Sequence, residues 1–120
     1  MGIAIARQVI TIERVPELAA RARQTLDQLQ YDNVEVIEGD GSRGLPDRGP
    51  FDAIVVAAAA PAVPDALRAQ LSLGAHLVIP VGTRMRQDLR VVTRTLEGWT
   101  DETGTSCVFV PLIGEQGWKE

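Results

Sequence analysis

The amino-acid sequence predicts an α/β fold with a mainly parallel sheet and an antiparallel strand pair at its C-terminal end. Three observations carry that prediction. Short β-branched runs alternate with a segment of helical periodicity, and one central run is apolar without interruption. The last two strands are joined too closely for a long helix to lie between them, so they should run antiparallel.

The first run, Gln8 to Glu13 (QVITIE), reads as a strand. Pro16 and Glu17 then open a helix, in which Leu18, Ala22, Leu26 and Leu29 fall at helical spacing with Arg21 and Arg23 among the polar positions. Asp32-Asn33 is a turn signal, and Val34 to Glu38 (VEVIE) reads as the second strand. Gly39 to Pro50 holds four glycines and two prolines and is therefore a loop. Phe51 to Ala57 (FDAIVVA) has the continuous apolar character of a strand buried on both faces.

Pro64 suits the first turn of a helix running to about Leu71, with Gly74 as its C-terminal cap. Ala75 to Val81 is a fourth strand. Asp88 to Leu96 and Ser106 to Pro111 complete the set, linked by Gly98 to Gly104. No repeat, low-complexity tract or linker divides the chain, and residues 1–120 read as one small domain.

Composition narrows the function. Of the 120 residues 45% are hydrophobic and 23% charged, which is ordinary globular usage. A formal charge of −4 without a basic stripe argues against nucleic-acid binding. The apolar runs are too short or too broken to span a bilayer, so no membrane role is expected. No secretory signal is legible, and a single cysteine, Cys107, excludes an internal disulfide and fits a reducing cytoplasm. One His and one Cys cannot build a zinc site, so no metal is expected, and no G-x-S-x-G elbow marks a hydrolase.

Gly39-Asp40-Gly41-Ser42-Arg43-Gly44 satisfies the dinucleotide pattern G-x-G-x-x-G after a strand. That motif works only when a helix opens at the loop and its N-terminus faces the pyrophosphate. Pro46 and Pro50 leave no room for such a helix, and the expected acidic residue is replaced by Ala57 to Pro61. The motif fails.

Glu13 and Asp40 carry a different prediction. Glu13 ends one strand, Asp40 follows the next, and a helix joins them. A strand–helix–strand crossover lays its strands parallel, which brings both carboxylates to the carboxyl edge where open α/β sheets bind ligands. One carboxylate there can accept hydrogen bonds from ribose hydroxyls, and another from an adenine amino group. Gly39 and Gly41 would let a flat ring approach the backbone. The simpler alternative is that Glu13 caps the helix and Asp40 organises a glycine turn. The geometry does not separate one nucleoside from another.

From Val9 to Leu112 the chain resembles the protein-L-isoaspartate O-methyltransferases in order and spacing. The blocks are Val9-Ile10-Thr11-Ile12-Glu13-Arg14, Tyr31-Asp32-Asn33-Val34, Gly39-Asp40-Gly41 and Pro50-Phe51-Asp52-Ala53-Ile54-Val55-Val56 with Ala57 to Pro61. Leu77-Val78-Ile79-Pro80-Val81-Gly82 and Phe109-Val110-Pro111-Leu112 follow. The alanine run ending in Pro61, combined with Ile-Pro-Val-Gly and Val-Pro-Leu, is the most specific part.

The resemblance implies a partial Rossmann-like fold of the class I S-adenosyl-L-methionine (SAM) methyltransferases. It implies SAM-dependent methylation of isoaspartyl or D-aspartyl carboxylates in damaged proteins, a repair activity. Glu13 would bind the SAM ribose, and Gly39, Asp40 and Gly41 the adenine end. Pro80, Val81 and Gly82 would help present isoaspartyl peptides or proteins. The chemistry suits these residues, because an isoaspartyl carboxylate is already ionised near neutral pH and needs no strong base. Alignment and exclusion of water can do most of the work.

In the family, a first strand and glycine-rich loop, and before them a segment with a serine or threonine near the substrate carboxylate, precede the region beginning here near Gln8. Neither is legible in this sequence, so no catalytic residue is assigned. Met1 to Arg7 resembles only the end of the helix after that loop, and Ile113 stands where some members carry a hydroxyl residue. Loss of a central strand would strand on the order of ten backbone hydrogen bonds at about 1 kcal/mol each. Against a typical stability of about 5–15 kcal/mol, that predicts a destabilised chain whose exposed strand edges pair with another chain. Two other readings compete. One is a non-catalytic module that retains part of a nucleoside site and acts by association; the other is a SAM methyltransferase of another substrate class.

Overall fold

The computed structural model describes residues 7–119, which fall into two compact units, one ending at Gly41 and one running from Ser42 onward. The resemblance drawn for Met1 to Ala6 lies outside the described residues.

The first unit is the predicted crossover. Strand β1 (Val9–Glu13) leads into helix α1 (Pro16–Gln28) and returns as strand β2 (Val34–Glu38). The strands pair in parallel, from Val9 with Val34 through to Glu13 with Glu38. Proline stands at the start of α1, where its missing N–H costs no helical bond. The helix buries Ala19 completely and Ala22 and Leu26 partly, while Leu18 and Leu29 remain exposed. The buried stripe is therefore narrower than predicted and centred on alanines. Arg23, one of the polar positions and exposed, donates from Nε and Nη2 to the Val36 carbonyl at 3.3 and 3.0 Å, tying α1 to β2.

Helix α1 ends without glycine. Gln30 takes the left-handed conformation at φ 62°, its N–H bonds to Asp27 O at 3.1 Å, and Tyr31 N–H bonds to Leu26 O at 3.0 Å. That is the paired bonding of a Schellman motif.

The second unit holds a four-stranded sheet in the order β3 (Phe51–Val55), β4 (Leu71–Gly82), β5 (Gln87–Thr95), β6 (Gly98–Cys107). Strands β3 and β4 are parallel; β4–β5 and β5–β6 are antiparallel. Its core gathers Leu67, Leu71, Ala75, Leu77, Ile79 and Val92. Across β5–β6, Arg90 Nε donates to Asp101 Oδ1 at 2.7 Å and Nη2 to Oδ2, a bidentate pair that holds the guanidinium pKa above its ordinary value. The α/β class, the early parallel pairing and the antiparallel C-terminal strands are as predicted.

Four details differ, each for a physical reason. Strand β3 exposes Asp52, Ala53 and Val55, the last by 76%, instead of being buried on both faces. It is the end strand of its sheet, and only Ile54 and Val56 turn toward the core. The second helix, α2, covers only Asp65–Arg68. The chain must leave it early because the Gln70 carbonyl already accepts the Phe51 N–H at 2.7 Å, starting the β3–β4 ladder.

Gly74 is accordingly no helix cap but sits inside β4 at φ 82°. There β4 advances from Leu71 to His76 while β3 advances only from Phe51 to Ala53, so the glycine lies in a bulge. Finally, the segment predicted to link the last strands is itself strand. Thr95 pairs with Gly98 across a two-residue turn, Leu96-Glu97, with Gly98 at φ 137°. Residues from Val108 onward leave β5 rather than forming the Ser106 to Pro111 strand.

Candidate functional site

Parallel pairing sets the first group of candidate residues. Glu13 is the last residue of β1 and lies opposite Glu38, the last of β2, so Glu13 and Asp40 lie at the same carboxyl rim. The Gly39 N–H extends the ladder by bonding to the Glu13 carbonyl at 3.0 Å. Both carboxylate residues are half-buried. Glu13 Oε1 accepts the Val15 N–H at 3.1 Å, so the carboxylate also braces the entry to α1. The helix-bracing and ligand-binding readings of Glu13 are thus compatible, because one hydrogen bond leaves a carboxylate with further acceptor sites.

The glycines differ. A Cβ on Gly39 would meet nothing within 4 Å, leaving open space over that peptide. A Cβ on Gly41 would rest against Ile12 Cβ at 3.7 Å. A depression of about 440 Å³ bounded by Gln8, Asn33 and Glu35 lies at the opposite, amino end of these strands and takes in none of the candidate residues.

In the second unit three separate sequence blocks form one ladder. Ala60 N–H donates to Pro80 O at 2.9 Å, and Gly82 N–H donates back to Ala60 O at 3.0 Å. On the other side Ala59 N–H donates to Val110 O and Leu112 N–H to Ala59 O, both at 2.7 Å. The alanine turn therefore sits between Pro80–Gly82 and Val110–Leu112, bridged in parallel to each. Ala59, Ala60 and Pro80 are buried, so small side chains are what permit this approach. Val108 and Val110 are more than two-thirds exposed, giving the ladder an apolar margin.

Two buried glutamines that sequence reasoning did not single out hold the loops of this unit. Gln87 is 1% exposed; its Nε2 donates to Thr83 O at 2.6 Å and its Oε1 accepts the Phe109 N–H at 2.8 Å. Gln70 Oε1 accepts the Leu45 N–H at 2.5 Å while Nε2 donates to the Leu45 carbonyl. No sequence signal marks either one, since a glutamine beside a turn reads as solvent-facing. Among the described residues no three His, Cys, Asp or Glu side chains gather as metal ligands, and no helix is long and apolar enough to cross a membrane.

A model of the protein-L-isoaspartate(D-aspartate) O-methyltransferase family matches residues 2–117. The chain is 53% identical over 116 residues to a protein-L-isoaspartate O-methyltransferase of Trichlorobacter lovleyi, covering 96% of this chain and 54% of the relative. With that of Hyperthermus butylicus it shares 52% over 114 residues, 93% of this chain and 47% of the relative. The chain spans about half the length of the curated relatives it matches.

Among solved structures, a Plasmodium falciparum protein described as an isoaspartate methyltransferase, crystallised with S-adenosyl-L-homocysteine, superposes with a TM-score of 0.76. It is 27% identical, and the match covers 88% of this chain and 52% of that one. A second protein-L-isoaspartate O-methyltransferase superposes at 0.83 with 23% identity over 92% of this chain and 35% of that one, a likeness of fold. On the sequence matches, this chain belongs to the protein-L-isoaspartate(D-aspartate) O-methyltransferase family.

Proposed function

We propose that the protein takes part in SAM-dependent methylation of isoaspartyl or D-aspartyl carboxylates in damaged proteins. The observation that carries this reading is the shared rim of Glu13 and Asp40, at the carboxyl end of two parallel strands, within a chain of this family. The residues present fit a nucleoside. Glu13 keeps acceptor capacity for ribose hydroxyls beyond its bond to Val15, and the space over Gly39 admits a flat ring beside Asp40 and Gly41.

SAM, when bound, supplies a methyl group on a sulfonium, an electrophile that a carboxylate can attack directly. The chain's own residues then have to bind, orient and keep water away. Glu13, Gly39, Asp40 and Gly41 hold the adenosine end. Pro80, Val81 and Gly82 present the isoaspartyl peptide, with their backbone fixed by Ala60.

Strand β3 pairs only with β4 among the described residues, so its other edge offers unpaired backbone groups to a second chain. Self-association through that edge follows. The lone free cysteine, Cys107, is in keeping with work in a reducing cytoplasm.

The test is incubation with methyl-labelled SAM and a peptide containing isoaspartate, against the same peptide with ordinary aspartate. Base-labile label on the isoaspartyl peptide alone supports the reading. SAM binding without any transfer points instead to a binding module that acts by association.

A further inference from the structure

The side chain of Gln87 joins two segments that border the Pro80–Gly82 ladder. Its Nε2 donates to the Thr83 carbonyl at 2.6 Å, and its Oε1 accepts the Phe109 N–H at 2.8 Å. Its backbone lies opposite Gly82 across β4–β5. The β4–β5 turn is in turn closed by Thr83, whose N–H bonds to Arg86 O at 3.0 Å and whose hydroxyl accepts the Arg86 N–H at 3.1 Å.

An uncharged amide is suited to this place, because it carries a donor and an acceptor at one end. A carbonyl on one loop and an N–H on another are satisfied together, and because the Gln87 amide is itself buried, neither loop can shift without leaving that amide short of a hydrogen bond. At 1% exposure Gln87 has no solvent-facing role to explain it. Gly82 is packed as closely: a Cβ there would meet Arg86 O at 2.4 Å.

We infer that Gln87 is a positioning residue that locks Pro80–Gly82 and Phe109 into one arrangement and so sets the affinity for an isoaspartyl peptide. The inference rests on the proposed role of Pro80–Gly82 in presenting that peptide. Gln87 itself touches neither substrate nor cofactor; it acts through the two loops it joins.

The test compares the full chain with Gln87→Met and Gln87→Glu, reading isoaspartyl-peptide affinity alongside amide hydrogen exchange at Phe109 and at Val92, which is buried in β5. Gln87→Met keeps the volume and removes both bonds. It is expected to lower Phe109 protection at least tenfold with Val92 unchanged, and to weaken peptide binding roughly tenfold. Gln87→Glu restores donor and acceptor only when protonated. Burial holds such a carboxyl above its ordinary range, so affinity relative to wild type at the same pH is near normal at low pH and falls as the acid ionises.

Unchanged peptide affinity in Gln87→Met overturns the inference, as does equal loss of protection at Phe109 and Val92, the mark of general destabilisation. A Gln87→Glu variant whose relative affinity ignores pH overturns it as well. A wild-type chain that binds no isoaspartyl peptide overturns the substrate reading, and this inference with it. A wild type that binds beside a variant that binds equally sinks the inference alone.

Discussion

The Gly39 N–H donates to the Glu13 carbonyl at 3.0 Å, continuing the β1–β2 ladder one step past the last paired residues. That bond fixes the peptide just before Asp40 relative to the residue bearing the other candidate carboxylate. The backbone between the two candidate carboxylates is thereby set by the sheet ladder itself.

The loop that follows is fixed by Gln70, and Gly44 makes room for it. A Cβ on Gly44 would lie 2.2 Å from Gln70 Oε1 and 3.3 Å from Ala66 O, at a φ of 67° that side chains rarely adopt. Gly44→Ala is expected to destabilise the protein by about 2 kcal/mol. Thermal or urea unfolding measures it. In a Gln70→Ala background, which itself loses the bonds to Leu45, the further cost of Gly44→Ala should be smaller, because the clash disappears with the amide.

Gln30 offers the opposite effect. It occupies the left-handed position of the α1 Schellman motif at φ 62°, where glycine carries no steric penalty. Gln30→Gly should stabilise the protein by about 0.5–1 kcal/mol, read as a rise in melting temperature with SAM binding unchanged.

Association through β3 predicts a mass that depends on concentration in sedimentation experiments. Val55 is 76% exposed on that edge strand, so Val55→Lys should not disturb the core. A charge on an edge strand blocks pairing. The variant is expected to stay monomeric at concentrations where the wild type self-associates, with the same melting temperature when dilute.

How much of this was legible in the sequence depends on the range of the contacts involved. The crossover from β1 through α1 to β2 is local in sequence, so the sequence alone puts Glu13 and Asp40 at one rim, where the parallel register holds them. From the sequence Gly74 reads as a helix cap and Gly98 as part of a linker. Both have positive φ, but a cap, a bulge and a hairpin all require that conformation, and only the register with β3 and β5 distinguishes them.

The apolar run at Phe51 suggested two buried faces, whereas burial depends on neighbours the run does not specify. Gln87 and Gln70 were invisible because their meaning lies in Phe109 and Leu45, more than twenty positions away. The joining of the alanine turn to Pro80–Gly82 and Val110–Leu112 is likewise tertiary.

The central claim is that Glu13 and Asp40 belong to one nucleoside-binding rim. Calorimetric titration of the wild type, Glu13→Ala and Asp40→Ala with S-adenosyl-L-homocysteine tests it most directly. Saturable binding by the wild type, weakened at least tenfold (about 1.4 kcal/mol) in each variant while each stays folded at the titration temperature, with a modest drop in melting temperature for Glu13→Ala from the lost bond to Val15, is the predicted result. Variants that bind as well as the wild type, or a wild type that binds nothing, would contradict it.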